Sequence, residues 1–244
     1  MKKLGIALLA LLAIIAGAVF WLRGNLDGLV GDAIAKYGSE MTQAKVSVGG
    51  VKISALNGEG IITDLIIGNP KGFKTPHAFS VRNFTLEVEP ASVAKEVVVI
   101  KKIAIIAPDV IYEKGEGMTN FDAIQKNIAG YAGPSDGKTA KADKSSKEGK
   151  KLIVEELTIK GAKAHASAPF LDGKMIDVPL PDLTLRNIGK AKGGVTSGEL
   201  GQEIAGALKK QLSASISFDN LGTLTKDAGE KVGKTLEKAG KLFK

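Results

Sequence analysis

The chain has 244 residues, no cysteine and a net charge of +8, which excludes disulfides, thiolate nucleophiles and Cys-type zinc sites and leaves enough apolar material for one large or two small domains. Arg23, Arg82 and Arg186 are the only arginines and aromatic residues make up 5%, a poor basis for nucleic-acid binding, which leans on arginine forks and stacking rings. Lysines set against an anionic lipid surface are the simpler reading of the charge.

From Leu4 to Leu22 there is no charged or strongly polar residue, and Leu4, Leu8, Leu12, Ile15, Val19 and Trp21 lie along this run. As a helix rising about 1.5 Å per residue it reaches roughly 28 Å, enough to cross a bilayer. Lys2 and Lys3 precede it, whereas Arg23 is followed by Asp27 and Asp32, so the positive-inside bias keeps the amino terminus cytoplasmic and puts the rest across the membrane. Residues 1–23 are expected to form a transmembrane signal anchor in a bacterial inner membrane, with the body in the periplasm. Cleavage after Ala18 is the alternative, because "AGA" at Ala16 to Ala18 satisfies the small-x-small rule. The apolar run continues past that point, and Trp21 beside Arg23 is the interfacial pair expected where a spanning helix leaves lipid.

The next part, 24–131, opens with "NLDGLVGDAIAKYGSEMTQ", where Leu26, Leu29, Val30, Ala33, Ile34 and Tyr37 fall at helical spacing. Strand-like segments follow: "KVSVGGVKIS", "GIITDLIIGN", "AFSVRNFTLEVEP" and "EVVVIKKIAIIAPDVIYEKG", separated by Gly, Asn and Pro breaks. Phe84, Leu86 and Val88 alternate with Asn83, Thr85 and Glu87, so one sheet face is apolar and the other wet. That pattern, with short breaks, predicts antiparallel pairing rather than parallel strands with long crossovers. "EGMTNFDAIQKNIAGY" reads as a helix capped by Thr119 or Asn120, with Asp122 in its first turn and Phe121, Ile124 and Ile128 on one side.

Residues 132–150 are rich in Lys, Ser, Gly and Asp with no aliphatic side chain larger than alanine, and are read as a flexible loop. A second strand block, 151–195, puts Ile153, Leu157 and Ile159, then Leu183 and Leu185, facing inward. The remainder, 196–244, switches to helix. Thr196 or Ser197 can cap a stripe of Leu200, Ile204, Ala207, Leu208 and Leu212, and "LGTLTKDAGEKVGKTLEKAGKLF" predicts a second amphipathic helix, basic on its polar side. Its role, as a cap on the sheet or a membrane-docking element, is left open.

Catalytic chemistry has no support. His77 and His165 occur in unrelated contexts without metal-ligand spacing, and there is no G-x-S-x-G elbow, Walker loop or G-x-G-x-x-G fingerprint. No enzyme activity, catalytic residue, metal or cofactor is therefore expected. "GEG" at Gly58 to Gly60 and at Gly115 to Gly117 reads as turns, and Asn83-Phe84-Thr85 is a chance sequon inside a strand. Lys101 and Lys102 interrupt an aliphatic strand and are read as solvated side chains rather than groove charges.

The lysine-led anchor, the strand ending in "IGNPKGF", the strand "FSVRNFTLEVEP" and the run "VVVIKKIAIIAPDVIYEKGEGMTNFDAIQKNI" together resemble the AsmA family of bacterial envelope proteins, over roughly Met1 to Ile128 and more loosely beyond. The resemblance implies an α+β fold: a mostly antiparallel, curved β-sheet of meander or half-barrel form with amphipathic helices and one N-terminal transmembrane helix. It also implies a concave apolar face related to chorein-type lipid grooves, and a part in outer-membrane biogenesis and phospholipid movement. The chain lacks the family's long repeated β region, which points to an accessory module or one that works as an oligomer. On this reading Phe84, Leu86, Ile103, Ile105, Leu183 and Leu185 form the lipid groove. The partners expected are the membrane, phospholipid, and other envelope proteins or further copies of the chain. The alternative is a structural adaptor fixed to the inner membrane that binds no lipid. The topology predicts that a reporter fused after Lys244 is active only when it is of a kind that works in the periplasm; activity of a cytoplasm-only reporter there overturns it.

Overall fold

The computed structural model describes residues 26–132 and 150–222. The expected anchor, most of the Lys/Ser/Gly-rich stretch (133–149) and all but the start of the basic tail helix (223–244) lie outside the described residues. Among the described residues, no helix is long and apolar enough to cross a membrane.

In chain order the elements are α1 (26–42), β1 (Val46–Ser47), β2 (Gly50–Ser54), β3 (Glu59–Ile67), β4 (Phe79–Val88), β5 (Val97–Ile106), β6 (Asp109–Glu113), α2 (Asn120–Ala132), β7 (Lys151–Lys160), β8 (Lys163–Ser167), β9 (Met175–Pro179), β10 (Leu183–Ile188) and α3 (Ser197–Ser215). The strands make one curved, open and mostly antiparallel sheet in an α+β architecture. β4 pairs with β3 along one edge, while its other edge is shared: Phe84 to Val88 face β5, and Phe79 and Ser80 face β6. The sheet therefore forks at β4 into a β5-β7-β10 branch and a β6-β8-β9 branch.

Parallel pairing, which the short breaks argue against, occurs twice, between β5 and β7 and between β6 and β8. The chain between β5 and β7 includes β6, α2 and residues 133–149, which supplies the length that a parallel return requires. Val97 faces Lys151 and Glu113 faces Ser167, one offset throughout. Thus β5–β6 and β7–β8 are two long strands bent at the same line, one at Ala107 (φ 49°) before Pro108, the other at Gly161 (φ 62°).

A second irregularity crosses the same branch. Glu87 faces Lys102 while Val88 faces Ile100, so Lys101 is the extra residue of a β-bulge. On β10, Asn187 (φ 56°) occupies the matching place between the Arg186–Glu156 and Ile188–Val154 pairs. The bulge reverses the phase of alternation: Val154 is fully buried beside Leu157 and Ile159, in the inward place that strict alternation assigned to Ile153. It also settles the lysine pair. Lys101 bonds to Glu89, whose carboxyl this bond holds below its ordinary range. Lys102 stands on the solvent face in a row with Glu59, Glu87, Glu156 and Arg186.

Local signals account for the ends of the elements. The hairpin between β2 and β3 needs Gly58 at φ 71°, where a Cβ would stand 2.0 Å from the Val88 carbonyl oxygen. Thr119 caps α2 by accepting the Asp122 N–H at 3.1 Å while Asp122 accepts the Thr119 N–H at 2.9 Å; Thr196 and Glu199 form the equivalent capping box on α3. The stripe of α1 is rotated from its expected position. Leu29 and Tyr37 are half-exposed, and Met41 joins the partly buried residues instead.

The turn "NPKGF" is fixed by a polar knot. Asn120, 0% exposed, donates to Asn69 Oδ1 (2.9 Å) and to the Ile111 carbonyl (2.8 Å), and its Oδ1 accepts the N–H groups of Glu113 and Phe121, both at 3.0 Å. The buried Glu113 carboxylate accepts the Lys74 N–H (2.7 Å), the Thr75 N–H (2.9 Å) and the Thr75 hydroxyl (2.5 Å). Asn69 closes the ring by donating to the Thr75 carbonyl at 2.8 Å. The three quoted segments, "IGNPKGF", "PDVIYEK" and "TNFDAI", meet here. Asn120→Ala strands several buried donors and acceptors and is expected to cost about 3 kcal/mol or more. Lys102→Ala, on the solvent face, should stay within about 0.5 kcal/mol; urea denaturation of both variants checks the contrast.

Candidate functional site

The six groove residues expected from sequence fall on one face of the sheet. Phe84 faces Ile105, Ile105 faces Ile159 and Ile159 faces Leu183, making one cross-sheet row; Leu86, Ile103, Leu157 and Leu185 make the next. Residues from both strand blocks are thereby brought together, with Leu157 and Ile159 almost fully buried between them. All six are half-buried. Phe84 and Ile105 pack against the core beneath the helices, Ile103, Leu183 and Leu185 pack against a second core around Val154 and Ile188, and Leu86 belongs to neither.

Where α1, α2 and α3 cover this face they leave a cavity of about 280 Å³. Its wall takes Ile34 and Met41 from α1, Phe121, Ile124 and Ile128 from α2, Ile204, Ala205 and Leu208 from α3, and Leu65, Ile67, Phe79, Ile105 and Ile159 from the sheet. Ile105 alone of the six expected residues lines it. The Thr42 hydroxyl, the polar side chain in the wall, donates to the Gly38 carbonyl at 2.7 Å. Nothing in this cavity is equipped for acid–base, nucleophilic or metal chemistry. It can exclude water and accept an apolar chain.

Helical periodicity does mark Phe121, Ile124, Ile128, Ile204 and Leu208 as inward, but not what they face. One residue-level signal was present: Gly201 stands within the α3 stripe, where glycine costs a helix about 1 kcal/mol relative to alanine. A Cβ at Gly201 would lie 2.8 Å from Met41 Sδ and 3.4 Å from Ile128 Cγ2, so the bare backbone is what lets α1, α2 and α3 meet at the cavity.

Polar contacts hold the helices over it. Asn127 of α2 donates to the Thr42 carbonyl at the end of α1 (2.8 Å), Tyr112 Oη and Ser213 Oγ of α3 are 3.1 Å apart, and Gln211 of α3 donates to the Pro181 carbonyl beside β10 (2.5 Å). Lys209 of α3 and Asp122 of α2 form an ion pair at 2.7 Å. Burial opposes the Asp122 charge, but the bonds from Lys209 and from the Thr119 N–H and hydroxyl outweigh it and hold the carboxyl below its usual range.

The two histidines, unrelated in sequence, are brought to one carboxylate at the fork of the sheet. His165 Nε2 lies 3.3 Å and His77 Nε2 3.6 Å from Asp109, and His165 Nδ1 is 2.7 Å from Asp177. No spacing rule could have joined them, since they come from the β3–β4 loop and from β6, β8 and β9. Among the described residues no three His, Asp or Glu side chains are placed to hold a metal ion. Compared with protein-family models, with curated proteins and with solved structures, the chain gives no significant match.

The Asp122 shift gives a pH dependence of known sign. Its folded pKa lies below the unfolded value of about 3.9, so the α2–α3 tie contributes fully above about pH 5 and is lost as pH falls through the lowered folded value. Asp122→Asn is therefore expected to lose less stability than the parent chain between pH 7 and pH 3, as read from urea midpoints at each pH.

Proposed function

We propose that this chain is an AsmA-like envelope protein, anchored in the bacterial inner membrane with its body in the periplasm, that binds phospholipid acyl chains and so takes part in outer-membrane biogenesis. The observation that carries the reading is the cavity beneath the three helices: about 280 Å³ with an almost wholly apolar wall. An alkyl chain entering it recovers about 0.8 kcal/mol for each methylene removed from water. The volume lies just below the range of about 300–1,000 Å³ usual for small-molecule sites, so it suits part of one acyl chain, with the headgroup left outside.

The half-buried residues along the rest of the face, Leu86, Ile103, Leu183 and Leu185, extend the apolar surface beyond the helices as a path along which a second chain or the remainder of the first can lie. No catalytic step belongs to this reading. Movement of lipid would follow from binding at one end of an apolar strip and release at the other, with a membrane or another envelope protein as donor or acceptor.

The test is native mass spectrometry of the part from Gly24 onward, purified without detergent. Phospholipid or fatty acid is expected to copurify. Ile105→Asp, which puts a carboxylate into the cavity wall, and Ala205→Phe, which fills the cavity, should both abolish it, while Lys102→Ala, on the solvent face of the sheet, should retain it. A folded parent protein free of lipid overturns the proposal and leaves the inner-membrane adaptor. Loss of folding in Ile105→Asp alone does not save it, because Ala205→Phe adds bulk without charge and reads the same cavity.

A further inference from the structure

The most exposed large apolar side chain among the described residues is Leu56, 86% accessible at the tip of the β2–β3 hairpin. Its neighbour at the same end is Val93, 52% accessible in the β4–β5 turn. The Val88 N–H, which donates to the Gly58 carbonyl at 2.7 Å, ties the two tips together, and the Glu89 N–H, which donates to the Val99 carbonyl at 2.8 Å, closes the β4–β5 turn on itself. Leu56 is therefore not a stray end but part of a braced edge. An aliphatic side chain held out in this way is costly in water and gains by entering an apolar phase.

Around the two tips stand lysines. Lys95 lies in the β4–β5 turn, Lys150 and Lys151 lead into β7, and Lys190 and Lys192 occupy the turn after β10. Lys150 donates to the Val93 carbonyl, and the Lys151 N–H donates to Glu96 at 3.0 Å, so these residues belong to the same end of the sheet. Of the acids there, Glu89 is engaged by Lys101, Glu199 by the Thr196 cap and Asp27 by the Ile53 N–H, while Glu59 and Glu87 stand in the solvent-face row with Lys102, and Glu96 precedes β5. The lysines gather on the β7–β10 side of the Val93 turn.

The chain also enters the body at this end. Asp27, in the first turn of α1, accepts the Ile53 N–H at 2.9 Å, next to the β2–β3 tip, and Leu29 nearby is 48% accessible. Only a few residues separate α1 from the apolar run Leu4 to Leu22. Apolar tips with lysines along their β7–β10 side, at the end where a membrane anchor arrives, suit an anionic bilayer surface.

We propose that the end of the sheet formed by the β2–β3 tip and the β4–β5 turn docks on the anionic surface of the membrane that holds the anchor, with Leu56 and Val93 entering the interfacial layer and Lys95, Lys150, Lys151, Lys190 and Lys192 facing lipid phosphates. The proposal rests on the reading of residues 4–22 as a span. Docking sets the covered face of the sheet upright at the bilayer, so that a chain leaving the membrane meets Leu86 and Ile103 before the cavity.

The chain has no cysteine and one tryptophan, Trp21, which makes a direct test simple. Full-length protein is reconstituted into vesicles of phosphatidylglycerol and phosphatidylcholine with brominated acyl chains, carrying a polarity-sensitive dye at Leu56→Cys, Val93→Cys or, as control at the opposite end, Met118→Cys. Quenching at Leu56 and Val93 should approach that of Trp21, with Met118 unaffected. The effect should weaken in vesicles of phosphatidylcholine alone and in the variant Lys95→Gln, Lys190→Gln, Lys192→Gln. Trp21 quenched with Leu56 and Val93 no different from Met118 overturns the docking and leaves the anchor standing. Leu56 and Val93 quenched while Trp21 is not supports the docking and overturns the anchor. Quenching indifferent to lipid charge removes the lysines from the proposal and overturns it as stated.

Discussion

The Asn120 side chain is the point on which the architecture turns. It is wholly buried, and each of its polar atoms is used: the amide donates to Asn69 and Ile111, and the oxygen accepts from Glu113 and Phe121. A buried amide is tolerated only when satisfied in this way. Satisfying it requires the β3–β4 loop, the end of β6 and the start of α2 to arrive together. The short turn "NPKGF" stops its strand so abruptly because Asn69 must leave the sheet to reach Asn120 and Thr75, while Glu113 gathers the N–H groups of Lys74 and Thr75. Nothing catalytic is involved. The knot is a positional device, and what it positions is α2.

From α2 the consequences run inward. Its Phe121, Ile124 and Ile128 supply one wall of the cavity, and the ion pair of Asp122 with Lys209 brings α3 over the same space. α3 can approach closely because Gly201 offers no Cβ to Met41 and Ile128. The cavity is thus what remains when three helices, placed by polar contacts at their edges, meet an apolar sheet face. Core side chains normally interdigitate until such space disappears; here α2 and α3 pack on the sheet around the space through Phe121, Ile128, Leu208 and Leu212.

Curvature comes from two lines of irregularity that cross neighbouring strands together. Ala107 and Gly161 bend β5–β6 and β7–β8 at the same register, and the bulge of β5 against β4 at Lys101 is matched on β10 by the left-handed Asn187, with the β5–β7 and β7–β10 registers unbroken. A bend confined to one strand would break its ladder. Shared by its neighbours, it leaves the hydrogen bonding intact and turns the whole sheet, which is how a flat aliphatic surface becomes a covered one.

The sequence by itself determined which segments are strand-like and helical, the alternation that makes one face of β4 apolar, the capping pairs Thr119–Asn120 and Thr196–Ser197, and which side chains of each strand, Phe84 and Leu86, Ile103 and Ile105, Leu183 and Leu185, share a side, because all of these depend on residues within a few positions of one another; the structure chose Thr119 and Thr196 as the caps. Only the tertiary structure decided the parallel pairing of β5 with β7, the phase reversal that buries Val154 in place of Ile153, the rotation of α1 that leaves Leu29 and Tyr37 in solvent, and the meeting of His77 and His165 at Asp109. Each of these depends on partners far away in the chain: register with a remote strand, the face another helix leaves free, or a bulge imposed from next door. The cavity belongs to the second group for the same reason. Its wall residues are legible one stripe at a time, but the space between them is a property of how three stripes and a sheet are held relative to one another, which no local pattern encodes.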